Sequence, residues 1–261
     1  MRVFKSNTKN IGYLVYRLAT PFFDPIKFVR GISAYFWFFR DWRRYKSKAP
    51  SAQIAGMNLC PVLGDKTTLT PFDAHYFFQD SWAFGNILAK RPGVHVDIGS
   101  SYQISAYLSK IVKTVFVDFR PIDTKMKNLE IKQGDILDLP FENNSIESLS
   151  CLSVAEHIGL GRYGDGINPD GTRKACKELS RVLAEGGNLY FSLPIGKERL
   201  CFNAHRIHSP VTILNYFKDL ALVQFSVVDD NDVFSENVDP KKFEDINYGC
   251  GLFMFTKIKE K

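Results

Sequence analysis

Cysteine is scarce and badly placed for cross-linking: Cys60, Cys151, Cys176, Cys201 and Cys250 are odd in number, scattered, and nowhere form a Cys-x-x-Cys pair. That pattern argues against a disulfide frame or a zinc site of tetrahedral spacing and predicts reduced thiols in a cytoplasmic setting, with no metal. The chain also lacks an apolar run near the ~20 residues a membrane-spanning helix needs, because Arg17, Pro21, Asp24, Lys27 and Arg30 interrupt its N-terminal stretch. No compact apolar segment with a small-residue cleavage site stands there, so the segment is expected to stay on the protein. Internal repeats and low-complexity tracts are missing, and so is the Gly-x-Gly-x-x-Gly fingerprint, which argues against a nicotinamide-linked enzyme.

Charge is unevenly spread. Residues 1–50 hold 11 Lys and Arg against 2 Asp and Glu, together with 13 of the 36 aromatic residues, while the rest carries 23 basic against 26 acidic groups. We therefore expect a basic, aromatic-rich helical extension over 1–50, a polar linker over 51–70 and one α/β domain over 71–261. On a helical projection Phe28, Ile32, Tyr35, Phe36, Phe39 and Trp42 share a face, with Arg30, Arg40 and Arg44 opposite and Trp37 an exception among them. Followed by Arg43, Arg44, Lys46 and Lys48, this face suits an anionic membrane surface, where each basic residue adds about 1 kcal/mol. Packing against protein is the other reading. Nucleic acid is not expected as a partner, since the rings keep to one helical face and the remaining chain is acidic. The oligomeric state stays open.

The richest stretch runs from Gly93 to Asp118. Val94 to Val96 ends in Asp97, turns through Gly99, and passes Ser100 and Ser101 into a helical segment before Thr114 to Val117 rises to Asp118. This is a nucleotide-binding βαβ pattern: glycine gives the tight turn, the helix start offers N–H groups, and the second acid accepts ribose hydroxyls. A helix is predicted from Pro71, after Thr70, to Lys90. Further strands are predicted at Leu129–Lys132, Ile146–Leu152, Asn188–Leu193, Leu222–Val228 and Leu252–Lys257. A shortened helix should join the second and third strands. Arg173 to Leu183 reads as a helix closed by Gly186-Gly187, and Ser209-Pro210 opens another ending near Lys218. The last two strands should form a hairpin with a long loop from Asp229 to Asn247.

Val96-Asp97-Ile98-Gly99, Asp118, Gly134-Asp135 and Gly187-Asn188-Leu189-Tyr190 together resemble, in order and spacing, the class I S-adenosylmethionine-dependent methyltransferases over about residues 71–258. HYFFQDSW, VDIGSS, SLSCLSVAEHIGLGRYGD, ELSRVLAEGGNLYFSLPIG and FNAHRIHSP further resemble an uncharacterised, methyltransferase-like family of unknown function. The resemblance implies an α/β, Rossmann-like seven-stranded sheet of order 3-2-1-4-5-7-6, strand seven antiparallel, with helices on both faces and S-adenosyl-L-methionine as cofactor. It places Asp97 at the methionine ammonium, Gly99 with Ser100 and Ser101 in the cofactor turn, and Asp118 at the ribose. Asp135 and Ile136 would lie at the adenine edge, Ser153 and Glu156 beside the sulfonium. Ser101 departs from the family, which commonly has a second glycine there.

Methyl transfer needs positioning and, for a hydroxyl acceptor, a general base that adds about 10² to 10⁴ in rate. His157, after the fourth strand, and His205, after the fifth, are the candidate bases, and Asp165 in the glycine-rich loop from Gly159 to Gly171 is a third catalytic candidate. The loop itself reads as a substrate lid. Its polar, aromatic character and the resemblance to proteins that accompany polysaccharide synthesis point to O-methylation of a sugar in a surface polysaccharide or lipid-linked glycan. The alternative is a non-catalytic adapter that keeps the fold without binding cofactor.

Overall fold

The computed structural model describes residues 11–55 and 57–258, which divide between Phe72 and Asp73 into two compact units. The first contains α1 (Ile11–Ala19), α2 (Pro25–Lys46) and the short α3 (Ser51–Ala55). Asp24 starts α2 because its carboxylate accepts the otherwise orphaned N–H groups of Ile26 and Lys27, both at 3.0 Å, and Pro25 already has a helical φ. Only Ala34 is buried on this helix, and Phe28, Ile32, Tyr35, Phe36 and Phe39 are exposed. The stretch expected as a linker folds back on α2: Trp42 Nε1 donates to Met57 Sδ at 3.3 Å, Tyr45 donates to Gln53, and Lys66 pairs with Asp41 and lies 4.4 Å over the Trp37 ring.

The second unit runs α4 (Ala74–Lys90), β1 (Val94–Ile98), α5 (Tyr102–Leu108), β2 (Lys113–Asp118), β3 (Leu129–Gln133), β4 (Ile146–Leu152), α6 (Gly171–Val182), β5 (Leu183–Ile195), β6 (Arg199–Cys201), β7 (His205–Ile207), α7 (Pro210–Tyr216), β8 (Leu220–Val228), β9 (Phe234–Ser235) and β10 (Gly249–Lys257). Its sheet has the order β3-β2-β1-β4-β5-β10-β8-β9. The first five strands are parallel; β10 is antiparallel to both its neighbours. The expected order holds, with one strand more than predicted, because Phe234 and Ser235 of the long loop pair with Val228 and Val227.

Two apolar layers cover the sheet. Trp82, Ala83 and Ile87 of α4 pack with Ile104 and Leu108 of α5 in one cluster, and Ala175, Cys176, Leu179 and Val182 of α6 with Ile213 and Phe217 in the other. β1, β2 and β4 are largely buried on both faces, as a doubly covered sheet requires, while the edge strand β3 is half-exposed.

Local chemistry corrects several boundaries. Asp73, not Thr70-Pro71, caps α4, accepting from the N–H groups of His75 and Tyr76. No helix joins β2 to β3. Gly186-Gly187 does not close α6, whose last residue is Val182; both glycines lie inside β5, where a Cβ on Gly187 would come within 2.8 to 3.1 Å of three backbone carbonyls. An unforeseen hairpin, β6 with β7, follows β5 and carries His205.

Candidate functional site

The C-terminal tips of β1, β2 and β3 form one side of the site. Asp97 has no exposed surface, and its carboxylate accepts from the hydroxyls of Ser100, Ser105 and Ser150. Ser150 gives its proton to Asp97, so it must accept from His95 Nε2 at 2.9 Å, which leaves His95 Nδ1 to accept from Ser148 at 2.8 Å. Burial pushes His95 down to about 3, keeping it neutral, and raises Asp97 to about 6 against the pull of its three serines. Asp97 therefore faces inward as the anchor of the turn. The ammonium role expected for it finds no support, because the carboxylate lies inside the protein and is already bonded on both oxygens.

Ser100 relays the anchorage, donating to Asp97 while accepting from Leu152 N at 3.0 Å, and so ties the β1 turn to β4. Ser101 caps α5 through Gln103 N and sits at φ −58°, a conformation any residue adopts, so the serine in place of glycine is unstrained. Gly99 is the position that needs glycine. Its φ is +66°, and a Cβ there would stand 3.2 Å from Val154 Cγ1 and 3.6 Å from Asp118 Oδ2. The missing side chain leaves the backbone bare at the tips of β1, β2 and β4, a cradle closely walled by Val154. Asp118, half-buried, accepts from Arg120 N at 2.6 Å and faces this turn. Beside it, Asp135 is exposed and caps its own turn through Leu137 N at 2.8 Å. Ile136 is 6% exposed and belongs to the core, so it supports the turn more than it presents a side chain to a ligand.

The tip of β4 is built differently. Ser153, at φ +55°, donates to Gln79 Oε1 at 2.7 Å, and its N–H donates to Ser192. Three residues on, Glu156 is 2% exposed and its Oε2 has no hydrogen-bond partner; Oε1 lies 3.6 Å from His157 Nε2. Burial raises Glu156 to about 8, so it holds a proton at neutral pH. His157 Nδ1 is 2.6 Å from the Ala204 carbonyl, which makes Nδ1 the protonated nitrogen and leaves a lone pair on Nε2. Burial brings His157 down to about 4 despite that carbonyl.

A wall of rings surrounds this pair. His157 lies 5.6 Å from Tyr163 and 6.4 Å from His205; His205 lies 5.4 Å from Tyr248, and Tyr248 stacks 5.1 Å from His75. His157 and His205 are thus brought together, although His205 enters from the β7 hairpin and not from the β5 tip. Arg120 and Arg162 stand 4.5 and 5.1 Å over the Tyr163 ring.

The glycine-rich loop is pinned, not a free lid. Asp165 accepts from Gly159 N at 2.6 Å and Tyr163 N at 3.2 Å, and Arg206 donates to the carbonyls of Ile158 and Asn168. Burial acts to raise Asp165, but the backbone N–H groups outweigh it and hold the carboxyl below its usual range. Asp165 therefore staples the loop, and a proton-transfer role for it finds no support. Sequence reasoning missed Tyr76, His75, Tyr248 and Arg120; the acid-to-Arg120 spacing aside, nothing local marks them, since strands and loops far apart in the chain bring them together. Among the described residues no group of His, Cys, Asp and Glu could hold a metal ion, and no helix is long and apolar enough to cross a membrane.

A family described as "Caenorhabditis protein of unknown function" matches residues 124–244, the part that holds Glu156, His157, Asp165 and His205. An uncharacterised protein of Methanocaldococcus jannaschii is 26% identical over 154 residues, 56% of this chain, and the match spans 60% of that relative. The N-methyltransferase NodS from Bradyrhizobium japonicum, solved with S-adenosyl-L-homocysteine, superposes with a TM-score of 0.51 at 13% identity, covering 70% of this chain and 87% of its own. A candidate sarcosine dimethylglycine methyltransferase from Galdieria sulphuraria gives 0.52 at 15% identity, covering 70% and 86%. The fold is that of the class I methyltransferases. In a class I fold, the tips of β1, β2 and β4 are the end of the sheet where ligands bind, and Gly99, Asp118 and Glu156 all lie there.

Proposed function

We propose that this chain is an S-adenosyl-L-methionine-dependent methyltransferase that O-methylates a sugar during surface-polysaccharide or lipid-linked glycan synthesis. The observation that carries the reading is the Gly99 cradle, bounded by Val154 and by the Asp118 carboxylate. Gly99, Ser101, Asp118 and the Asp135 turn would hold the cofactor, whose chemistry is a methyl group made electrophilic by a sulfonium. Asp97 and Ser100 hold the turn in shape from beneath.

On the acceptor side, His157 offers the lone pair of Nε2 to an incoming hydroxyl while the Ala204 carbonyl fixes its ring. His75, Tyr248, His205 and Tyr163 offer flat faces against which a sugar ring can stack. His205, itself lowered by burial, is neutral and serves as the second acceptor-side base. In the N-terminal unit, the exposed rings of α2 and the basic residues of its last turn support placement in the cytoplasm against an anionic membrane. Co-sedimentation with anionic liposomes at low salt tests that part, and no binding removes it.

Calorimetric titration with S-adenosylhomocysteine tests the activity class. Binding by the wild type that weakens by roughly tenfold or more in Asp118→Ala supports the reading; no heat with the wild type favours the adapter.

A further inference from the structure

Glu156 is the one group of the site whose chemistry the cradle and the base leave unused. Its carboxyl is 2% exposed, and Oε2 finds no hydrogen-bond partner. An orphaned polar atom in a protein interior is costly, and such a group invites a reason. The groups that face Glu156 supply no counter-charge. Tyr76 comes from α4, Cys151 lies on β4, Tyr248 just before β10 and Cys250 within it. Burial raises Tyr76, Tyr248, Cys151 and Cys250, so all four are neutral. His157, at 3.6 Å, is neutral as well. Among the described residues Arg162 is the cation that acts on Glu156, but it is exposed and donates to the Ala204 carbonyl. Val154, two residues earlier, lines the Gly99 cradle, which puts the unpaired carboxyl at the same end of the sheet.

We propose that Glu156 is the counter-charge of the reaction centre: ionised when a sulfonium donor occupies the site, and the final holder of the proton that the acceptor hydroxyl gives up. This rests on the methyltransferase reading. Donor binding drives the Glu156 proton into solvent, because a buried carboxylate becomes affordable once a cation shares its cavity. In the transfer step the oxygen–carbon bond forms and the sulfur–carbon bond breaks, its electron pair staying on sulfur. The hydroxyl proton passes to His157 Nε2 and from there to Glu156. The sulfur ends as a neutral thioether, Glu156 as a neutral acid and the acceptor as a neutral ether. The buried site thus begins and ends without net charge, which low-dielectric surroundings favour.

The full chain is titrated by calorimetry at pH 7 with S-adenosylmethionine and, separately, with S-adenosylhomocysteine, in buffers of different ionisation enthalpy. The expected result is about one more proton released by the sulfonium than by the thioether in the wild type. In Glu156→Gln that difference disappears and preference shifts at least tenfold toward the thioether. Equal proton release by both ligands in the wild type overturns the role of Glu156 and leaves the methyltransferase reading standing. Failure of both ligands to bind overturns both. The wild-type comparison decides even if Glu156→Gln does not fold.

Discussion

Two buried carboxyls, one at the tip of β1 and one just past the tip of β4, have opposite surroundings. Asp97 is met by three serine hydroxyls, one of them held in turn by a neutral histidine. Glu156 is met by an imidazole at 3.6 Å and by nothing at Oε2. Burial raises both, Asp97 to about 6 and Glu156 to about 8. At neutral pH the first is therefore a charge held by hydrogen bonds and the second is a stored proton. The difference teaches which acid builds the site and which one is left for its chemistry: satisfied polar networks rigidify, and an unsatisfied group marks a place where something else is meant to arrive.

The comparison breaks first, and hardest, at Asp97. Asp97→Ala strands Ser100, Ser105 and Ser150 in the interior and should cost about 3–5 kcal/mol, read as a lower urea midpoint, because it dismantles a buried network. A loss below 1 kcal/mol would mean that Asp97 is no anchor. Next, Asp118→Ala removes an acceptor whose described bond is to its own turn. It should leave the urea midpoint nearly unchanged while weakening S-adenosylhomocysteine binding by roughly 10- to 100-fold, the worth of hydrogen bonds to a charged group.

The pH dependence of stability sharpens the contrast. A carboxyl with a higher pKa folded than unfolded stabilises the protein at low pH, and that contribution fades as pH rises toward the folded value. Asp97 acts between about 3.8 and 6, Glu156 between about 4.5 and 8. His157, lowered from 6.5 to about 4, works in the opposite sense, adding stability as pH rises toward 6.5. All five histidines are lowered by burial and add stability with rising pH until the unfolded chain has lost their protons, so Glu156 dominates only toward pH 8, where stability should fall by less than about 1 kcal/mol per pH unit. Glu156→Gln should flatten that slope. At pH 7 the same substitution should move the urea midpoint least of all, by less than about 1 kcal/mol, since a neutral amide replaces a neutral acid of the same shape. A large loss at pH 7 would show that the carboxyl is ionised and bonded there.

Much of the scaffold was legible because it is written in local terms. Apolar runs ending in Asp97 and Asp118 mark parallel strands buried on both faces, and Gly99 marks a turn that needs positive φ. Extra features were hidden by shortness: β9 has two residues and β6 and β7 three each, too few for periodicity to register. The mistaken end of α6 has a physical cause, since Gly186-Gly187 looks like a helix stop but lies inside β5, where Gly186 takes φ +74° and Gly187 allows close backbone packing. Asp165 looked catalytic in a polar loop, yet an acid two residues past Tyr163 and six past Gly159 is well placed to cap its own backbone, and it does.

By itself the chain's sequence determined the charged, aromatic N-terminus and the glycine turn, since these follow from composition and a single backbone requirement; the strand order was implied by the resemblance to the class I methyltransferases. Tertiary structure decided which acids are satisfied. Asp97 meets Ser150 across 53 residues, Gln79 meets Ser192 across 113, and the ring wall draws on four separate elements, so only folding reveals that Glu156 is left without a partner. A hydrogen bond is a matter of ångströms in space, and distance along the chain carries no record of it.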